Sequence, residues 1–164
     1  MAEIETILLS KLLQWYRLQR HDFMNHWQVI QGYLQLQQPE KALAYMKKML
    51  TVQVQEQKIA QIPEPALAAI LLTLIIELRQ REIPATLDFP EEMKKIDYWQ
   101  DHWQKEYAAG LYGYTKECLE ATLKAKQLSG ITAEVYLFDE PGGLACQIIL
   151  GNDNVVLFDK MVSF

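Results

Sequence analysis

The sequence predicts an α+β chain: two long antiparallel helices that need a second copy to cover them, then helices on one face of a mixed sheet. Three observations predict it. Roughly the first 36 residues carry apolar side chains at helical spacing with no proline. The pattern resumes after Gln37-Gln38-Pro39, a link short enough to force neighbouring, antiparallel helices. Beyond Ile62-Pro63-Glu64-Pro65 the order is helix, strand, helix and three strands. The expected division is residues 1–61 for a helical dimerisation domain and 62–164 for an α/β domain.

The first helix is expected from Ile4 to about Leu36, on the order of 50 Å long. Stepping 100° per residue gives a stripe of Leu9, Leu12, Tyr16, Phe23, Trp27, Ile30 and Leu34, widened near its start by Ile4, Leu8, Leu13 and Trp15. Pro39 suits the first turn of a second helix reaching about Ile59, with Leu43, Met46, Leu50 and Val54 facing inward. One such pair leaves part of both stripes in water. A second copy would cover them in a four-helix bundle, and the competing expectation is that residues after 60 fold back onto the pair.

Pro65 starts a third helix to about Arg81, apolar over most of its circumference and so expected to be buried. Ala85 to Phe89 alternates between Pro84 and Pro90 and reads as a strand. A helix is expected from Asp97 to about Gln127, with Gly110 and Gly113 marking a bend or a close contact. Ile131 to Phe138, Leu144 to Leu150 and Asn154 to Phe158 read as strands. Pro141-Gly142-Gly143 and Gly151-Asn152-Asp153 supply the turns.

Composition narrows the function classes. The 164 residues are 50% hydrophobic with a formal charge of -5, which argues against nucleic acid as the main partner. The longest apolar run, Ala66 to Ile76, is about half of what a membrane span needs. Met1 to Glu5 lacks a secretory pattern, so a cytoplasmic location is expected. Cys118 and Cys146 read as two buried thiols, not a bridge.

Of the three histidines, His21 lies far from the apolar stripe, among Ser10, Gln14, Arg17, Asn25, Gln28 and Gly32. It reads either as a solvated surface residue or as a nucleophile, since an exposed imidazole keeps a neutral fraction near pH 7. His26 sits on the flank of the stripe and is expected to be half-buried in packing. The five-residue spacing of His21 and His26 is wrong for two ligands on one helical face. His102 begins no motif and is expected on a polar face.

The stretch Arg20-His21-Asp22-Phe23-Met24-Asn25, continuing through Gly32 to Leu36 and then from Pro39 to Met49, resembles the phosphoacceptor helices of the sporulation initiation phosphotransferase B family. It is also similar to those of the citrate/dicarboxylate sensor histidine kinases. The resemblance implies a dimeric four-helix bundle in which His21 carries a phosphoryl group, with Asp22 and Asn25 as its catalytic neighbours. It makes Arg17, Arg20, Gln28 and Gly32 the expected partner-binding residues, the glycine easing packing by the turn or a docking partner.

The second half resembles a degenerate kinase ATPase domain. Glu117 and Ala121 stand where the kinase pattern has metal-binding asparagines, and Asp139-Glu140-Pro141-Gly142-Gly143 reads as a hairpin turn instead of an adenine loop. No Walker motif is present. The resemblance thus implies a histidine phosphotransferase that relays phosphate between aspartyl phosphates of response-regulator receiver domains. No cofactor is expected on this chain, Mg²⁺ being supplied by the receiver. The alternatives are an ATP-dependent sensor kinase, or a fragment of one, and a non-enzymatic dimer that binds a response regulator.

Overall fold

The computed structural model describes residues 2–141 and 143–164, so Gly142 of the expected Pro141-Gly142-Gly143 turn lies outside the described residues. A helical region at the N-terminus is followed by a small mixed sheet with its own helices. The first helix, α1 (Ala2–Gln35), runs without interruption because no proline or mid-helix glycine breaks its ladder. Gln37, at φ 57°, turns the chain, and Pro39 opens α2 (Pro39–Ile59) at a position where its missing N–H costs nothing.

Next comes α3 (Pro65–Gln80), capped by the Glu64 carboxylate, which accepts from the Ala66 N–H at 3.2 Å. Its all-round apolar surface is explained by its place. It touches α1 and α2 on one side and β1 (Ala85–Asp88) and the later helix α5 (Tyr107–Lys124) on the other. Leu67, Ile70, Leu71, Leu74 and Leu78 are all buried. Residues after 60 therefore do fold back onto the long helices.

The expected single helix from Asp97 to Gln127 is two. A short α4 (Ile96–His102) follows a 3-10 turn over Glu91–Lys94 and ends where Trp103 becomes extended, at φ -117° and ψ 134°. Trp99 holds it in place by donating from Nε1 to the Met93 carbonyl at 2.7 Å inside the core. Gly110 and Gly113 lie within α5, not at the break. An added Cβ at Gly110 would meet the Phe164 ring at 3.2 Å, so that glycine marks a close contact.

The sheet has the order β1-β2-β3-β4, with β2 (Thr132–Glu140), β3 (Gly143–Gly151) and β4 (Val156–Ser163). The first pair is parallel and the other two antiparallel. Strand β4 begins later and runs five residues further than the expected Phe158, because Asn152 to Val155 form the turn. There Asn152 Oδ1 accepts from the N–H groups of Asn154 and Val155, each at 2.9 Å. Alternate residues Val135 and Leu137 on β2 and Leu144, Cys146, Ile148 and Leu150 on β3 join Leu111 of α5 and the α3 side chains in one core.

Tyr114 of α5 ties the sheet across its middle. Its hydroxyl accepts from the buried Ile148 N–H at 2.7 Å and donates to the Lys160 carbonyl, bridging two residues that face each other on β3 and β4. Tyr114→Phe should cost about 1–3 kcal/mol in a urea denaturation, since it strands a buried N–H without its acceptor. Burial pushes the Cys118 and Cys146 thiols up to about 12, which keeps both protonated near neutrality.

The long helices bury less of themselves than their stripe promised. Leu8 and Ile30 of α1 and Ala42 of α2 are buried, but Leu9 is 67% exposed, Trp27 55% and Leu50 60%. Leu43, Met46 and Val54, expected to face inward, are likewise exposed within one chain. The contact of α1 with α2 is made instead by the neighbouring face, where the His26 Nδ1 and Tyr45 hydroxyl are 2.7 Å apart.

Ion pairs fasten α3 to both long helices: Lys11 Nζ to Glu77 Oε1 at 2.5 Å, and Arg79 to Glu56. Burial alone would raise the Glu77 carboxyl, but hydrogen bonds from Lys11 and Arg81 outweigh it and hold the group below its ordinary 4.5. Its contribution to stability is complete above the unfolded carboxyl range and is lost as pH falls through the lower folded value. The thermal midpoint should therefore drop on acidification below about 4.5, and it should drop less in Glu77→Gln.

Candidate functional site

Helix α1 projects His21 from the middle of its length, with the side chain 71% exposed. Residues 17, 21, 25, 28 and 32 share one helical row, since positions three and four apart stack on the same face. Along that row Arg17, Asn25 and Gln28 are exposed and Gly32 is half-buried. Arg20 is exposed too, but it stands 100° round the helix from His21, toward the apolar stripe. Among the described residues no carboxylate pairs with either arginine.

Two neighbours reach the same imidazole nitrogen. Asn25 Nδ2 is 3.4 Å from His21 Nδ1, and Asp22 Oδ1 is 3.6 Å from it. Sequence adjacency suggested the Asp22 contact without placing it. The distance exceeds a good hydrogen bond, so the carboxylate acts on the ring mainly through its charge. The other nitrogen, Nε2, has no hydrogen-bond or ion-pair partner among the described residues.

Gly32 differs from expectation in one respect. A Cβ added there would meet nothing within 4 Å, so packing by the turn does not require a glycine. His26 is half-buried against Tyr45, as its place on the stripe flank predicted. His102 is not simply on a polar face. Its ring stacks on Tyr98 at 4.0 Å, Nδ1 donates to the Tyr98 carbonyl at 2.6 Å, and Nε2 is 3.9 Å from Asp139.

Residues 1–62 match the sensor kinase SpoOB-type, alpha-helical domain. That SpoOB-type match takes in the whole of α1 and α2, including Arg20 to Asn25, and stops before α3. It associates the helical region with a phosphorelay-type family and does not extend to the sheet region. A comparison with curated proteins found no match.

In the sheet region Glu117 is already engaged, its Oε2 lying 2.8 Å from Lys160 Nζ, and Ala121 packs against the core. Asp139 is paired with Leu144 in the β2–β3 ladder, which makes the following residues a hairpin connection. No helix of the described residues is long and apolar enough to cross a membrane.

Sequence reasoning missed a cavity of about 460 Å³ where α1, α2 and α3 meet, with Asp22 in its wall. No local signal points to it, because it depends on the path by which α3 returns to the long helices.

Proposed function

We propose that the chain is a histidine phosphotransferase in which His21 takes a phosphoryl group from the aspartyl phosphate of one receiver domain and passes it to the aspartate of another. The observation that carries this reading is the exposed imidazole of His21, held midway along a long helix inside the SpoOB-type segment. With the ring proton on Nδ1, toward the Asp22 carboxylate, and the Asn25 amide turned to present its oxygen there, the Nε2 lone pair is left free for attack. That lone pair attacks phosphorus as the bond to the aspartyl oxygen breaks, and the partner's carboxylate leaves. The ring becomes cationic in the process, and the Asp22 carboxylate offsets that charge. The receiver brings the Mg²⁺ and the acidic pocket, so this chain contributes position and little else.

Docking would centre on Asn25 and Gln28, with Arg17 and Arg20 available to phosphoryl oxygens or to the acidic rim. Gly32 offers backbone that a partner can approach closely, which suits an open position with no intrachain packing demand. The chain acts as a homodimer, residues 1–61 forming the bundle. Support comes from the uncovered side chains of Leu9, Tyr16, Phe23, Trp27 and Leu34 on α1 and of Leu43, Met46, Leu50 and Val54 on α2.

The test is incubation with a phosphorylated receiver domain and Mg²⁺. Acid-labile, base-stable phosphate should appear on the protein. Phosphate that stays on the receiver, or is only released to solution, would end the proposal.

A further inference from the structure

The sheet is covered on one face only. Val135 and Leu137 of β2, Cys146 and Ile148 of β3 and Val162 of β4 join the core with α3 and α5, and the alternate residues point the other way. On that second face Tyr136, Gln147 and Met161 form one row across three strands, and Glu134, Ile149 and Asp159 form the next. Phe138 lies beyond Tyr136, the two rings stacked 6.1 Å apart at 21°. None of Tyr136, Phe138, Ile149 and Met161 packs against the core, and Met161 is 50% exposed.

The charges on this face have one sign. Asp88 of β1 stands beside Tyr136, and Glu134 and Asp159 flank Ile149. The Tyr136 hydroxyl donates to Glu134 at 2.9 Å. That bond foremost, with the charges of Glu134 and Asp88, holds the phenol above its ordinary 10. Asp159 accepts from the Gln147 amide at 2.9 Å. Lys160 is the only basic residue in the four strands, and it turns to the helical side to pair with Glu117 of α5.

We infer that this face docks a basic amphipathic helix of a partner protein. A sheet with one bare apolar face is completed by a layer of helix. The apolar patch reaches from β2 to β4, two strand spacings of about 4.8 Å each, which one helix about 10 Å wide covers. Apolar side chains of that helix lie on Phe138, Ile149 and Met161, while lysines or arginines on its flanks meet Asp88, Glu134 and Asp159. The same three carboxylates repel nucleic acid and anionic membrane surfaces. A two-fold pairing of this face with its own copy would set them against one another. The face carries no residue of α1 or α2, so docking here is independent of the phosphotransfer reading.

The probe is a fluorescein-labelled peptide of leucine and lysine, roughly five helical turns long, with leucine at helical spacing. Added to the full chain and followed by anisotropy, it should show saturable, micromolar binding. A peptide of the same composition in scrambled order should bind at least about tenfold more weakly. Glu134→Lys with Asp159→Lys should weaken binding about tenfold or more. Glu106→Lys with Glu120→Lys, the same change of net charge at exposed positions of the α5 segment, should not. Phe138→Thr, which keeps a strand-forming residue, should also weaken it. The amide resonances of Tyr136, Gln147, Ile149 and Met161 should shift most on titration. The inference is overturned by no saturable binding up to about 1 mM, by equal binding of the scrambled peptide, or by equal affinities of the two double variants. Amide shifts confined to α1 and α2, or binding of phosphatidylglycerol vesicles or single-stranded RNA at this face, would overturn it as well.

Discussion

Replacement of His21 by alanine is expected to abolish phosphoryl transfer from a receiver domain while leaving the thermal midpoint unchanged. The imidazole is 71% exposed and its only polar contacts among the described residues are the long ones to Asp22 and Asn25, so its removal exposes no core and strands no buried partner. Surface changes of this kind shift stability by no more than about 0.5 kcal/mol. Transfer is different, because no other nucleophile stands on the row formed by Arg17, Asn25, Gln28 and Gly32. Asp22→Asn should give a partial loss of up to about a hundredfold, since it disturbs orientation and charge but leaves the nucleophile. Phosphorimaging of transfer reactions reads both variants. Retained transfer in His21→Ala would remove His21 as the phosphoryl acceptor and overturn the proposed mechanism.

Trp27→Asp should convert the proposed dimer into monomers, measured by sedimentation at micromolar concentration. The indole is 55% exposed in one chain and sits between Phe23 and Leu34 on the uncovered stripe, with the Phe23 and Trp27 rings 5.8 Å apart edge to face. A buried aromatic at the centre of an interface costs at least about 2 kcal/mol when lost, and two-fold symmetry counts each substitution twice. The expected weakening is therefore on the order of a thousandfold or more. Because Trp27 lies outside the core of its own chain and contacts only the exposed Phe23 ring among the described aromatics, the monomer should stay folded, with an unchanged helical signal. A wild-type chain that sediments as a monomer would exclude the bundle.

Several parts of the molecule were legible before any coordinates. The long α1, its break at Gln37 to Pro39 and the buried α3 follow from periodicity and proline placement, which act over a few residues and are written locally. The strands β2 and β3 follow from alternation bounded by turn residues. The split of Asp97 to Gln127 into two helices was not legible. It depends on Trp99 reaching the Met93 carbonyl and on the extended backbone of Trp103, whose ring packs against the core, and tryptophan carries no local helix-stopping signal. The extension of β4 to Ser163 was hidden for a similar reason. Met161 and Ser163 read as strand only because Gln147 and Ala145 of β3 stand opposite them.

At the site, the exposure of His21 could be read from its place on the wheel, and so could the half-burial of His26. The inward assignment of Leu43, Met46, Leu50 and Val54 could not be decided, because a stripe states that a face is apolar without stating what covers it. Only tertiary structure showed that α2 meets α1 through Tyr45 and Ala42, that α3 takes the space above them, and that the stripe stays bare within one chain.

The sequence by itself determined the helical and strand segments, the exposed histidine and its Arg-His-Asp setting, all properties of residues a turn or two apart. Only the tertiary structure decided which faces meet, where Glu56 is left with an unmatched oxygen, and how Asp22 comes to touch both the imidazole and a cavity. Those features join residues far apart in the chain, and such contacts are selected by the packing of whole elements rather than by local preference.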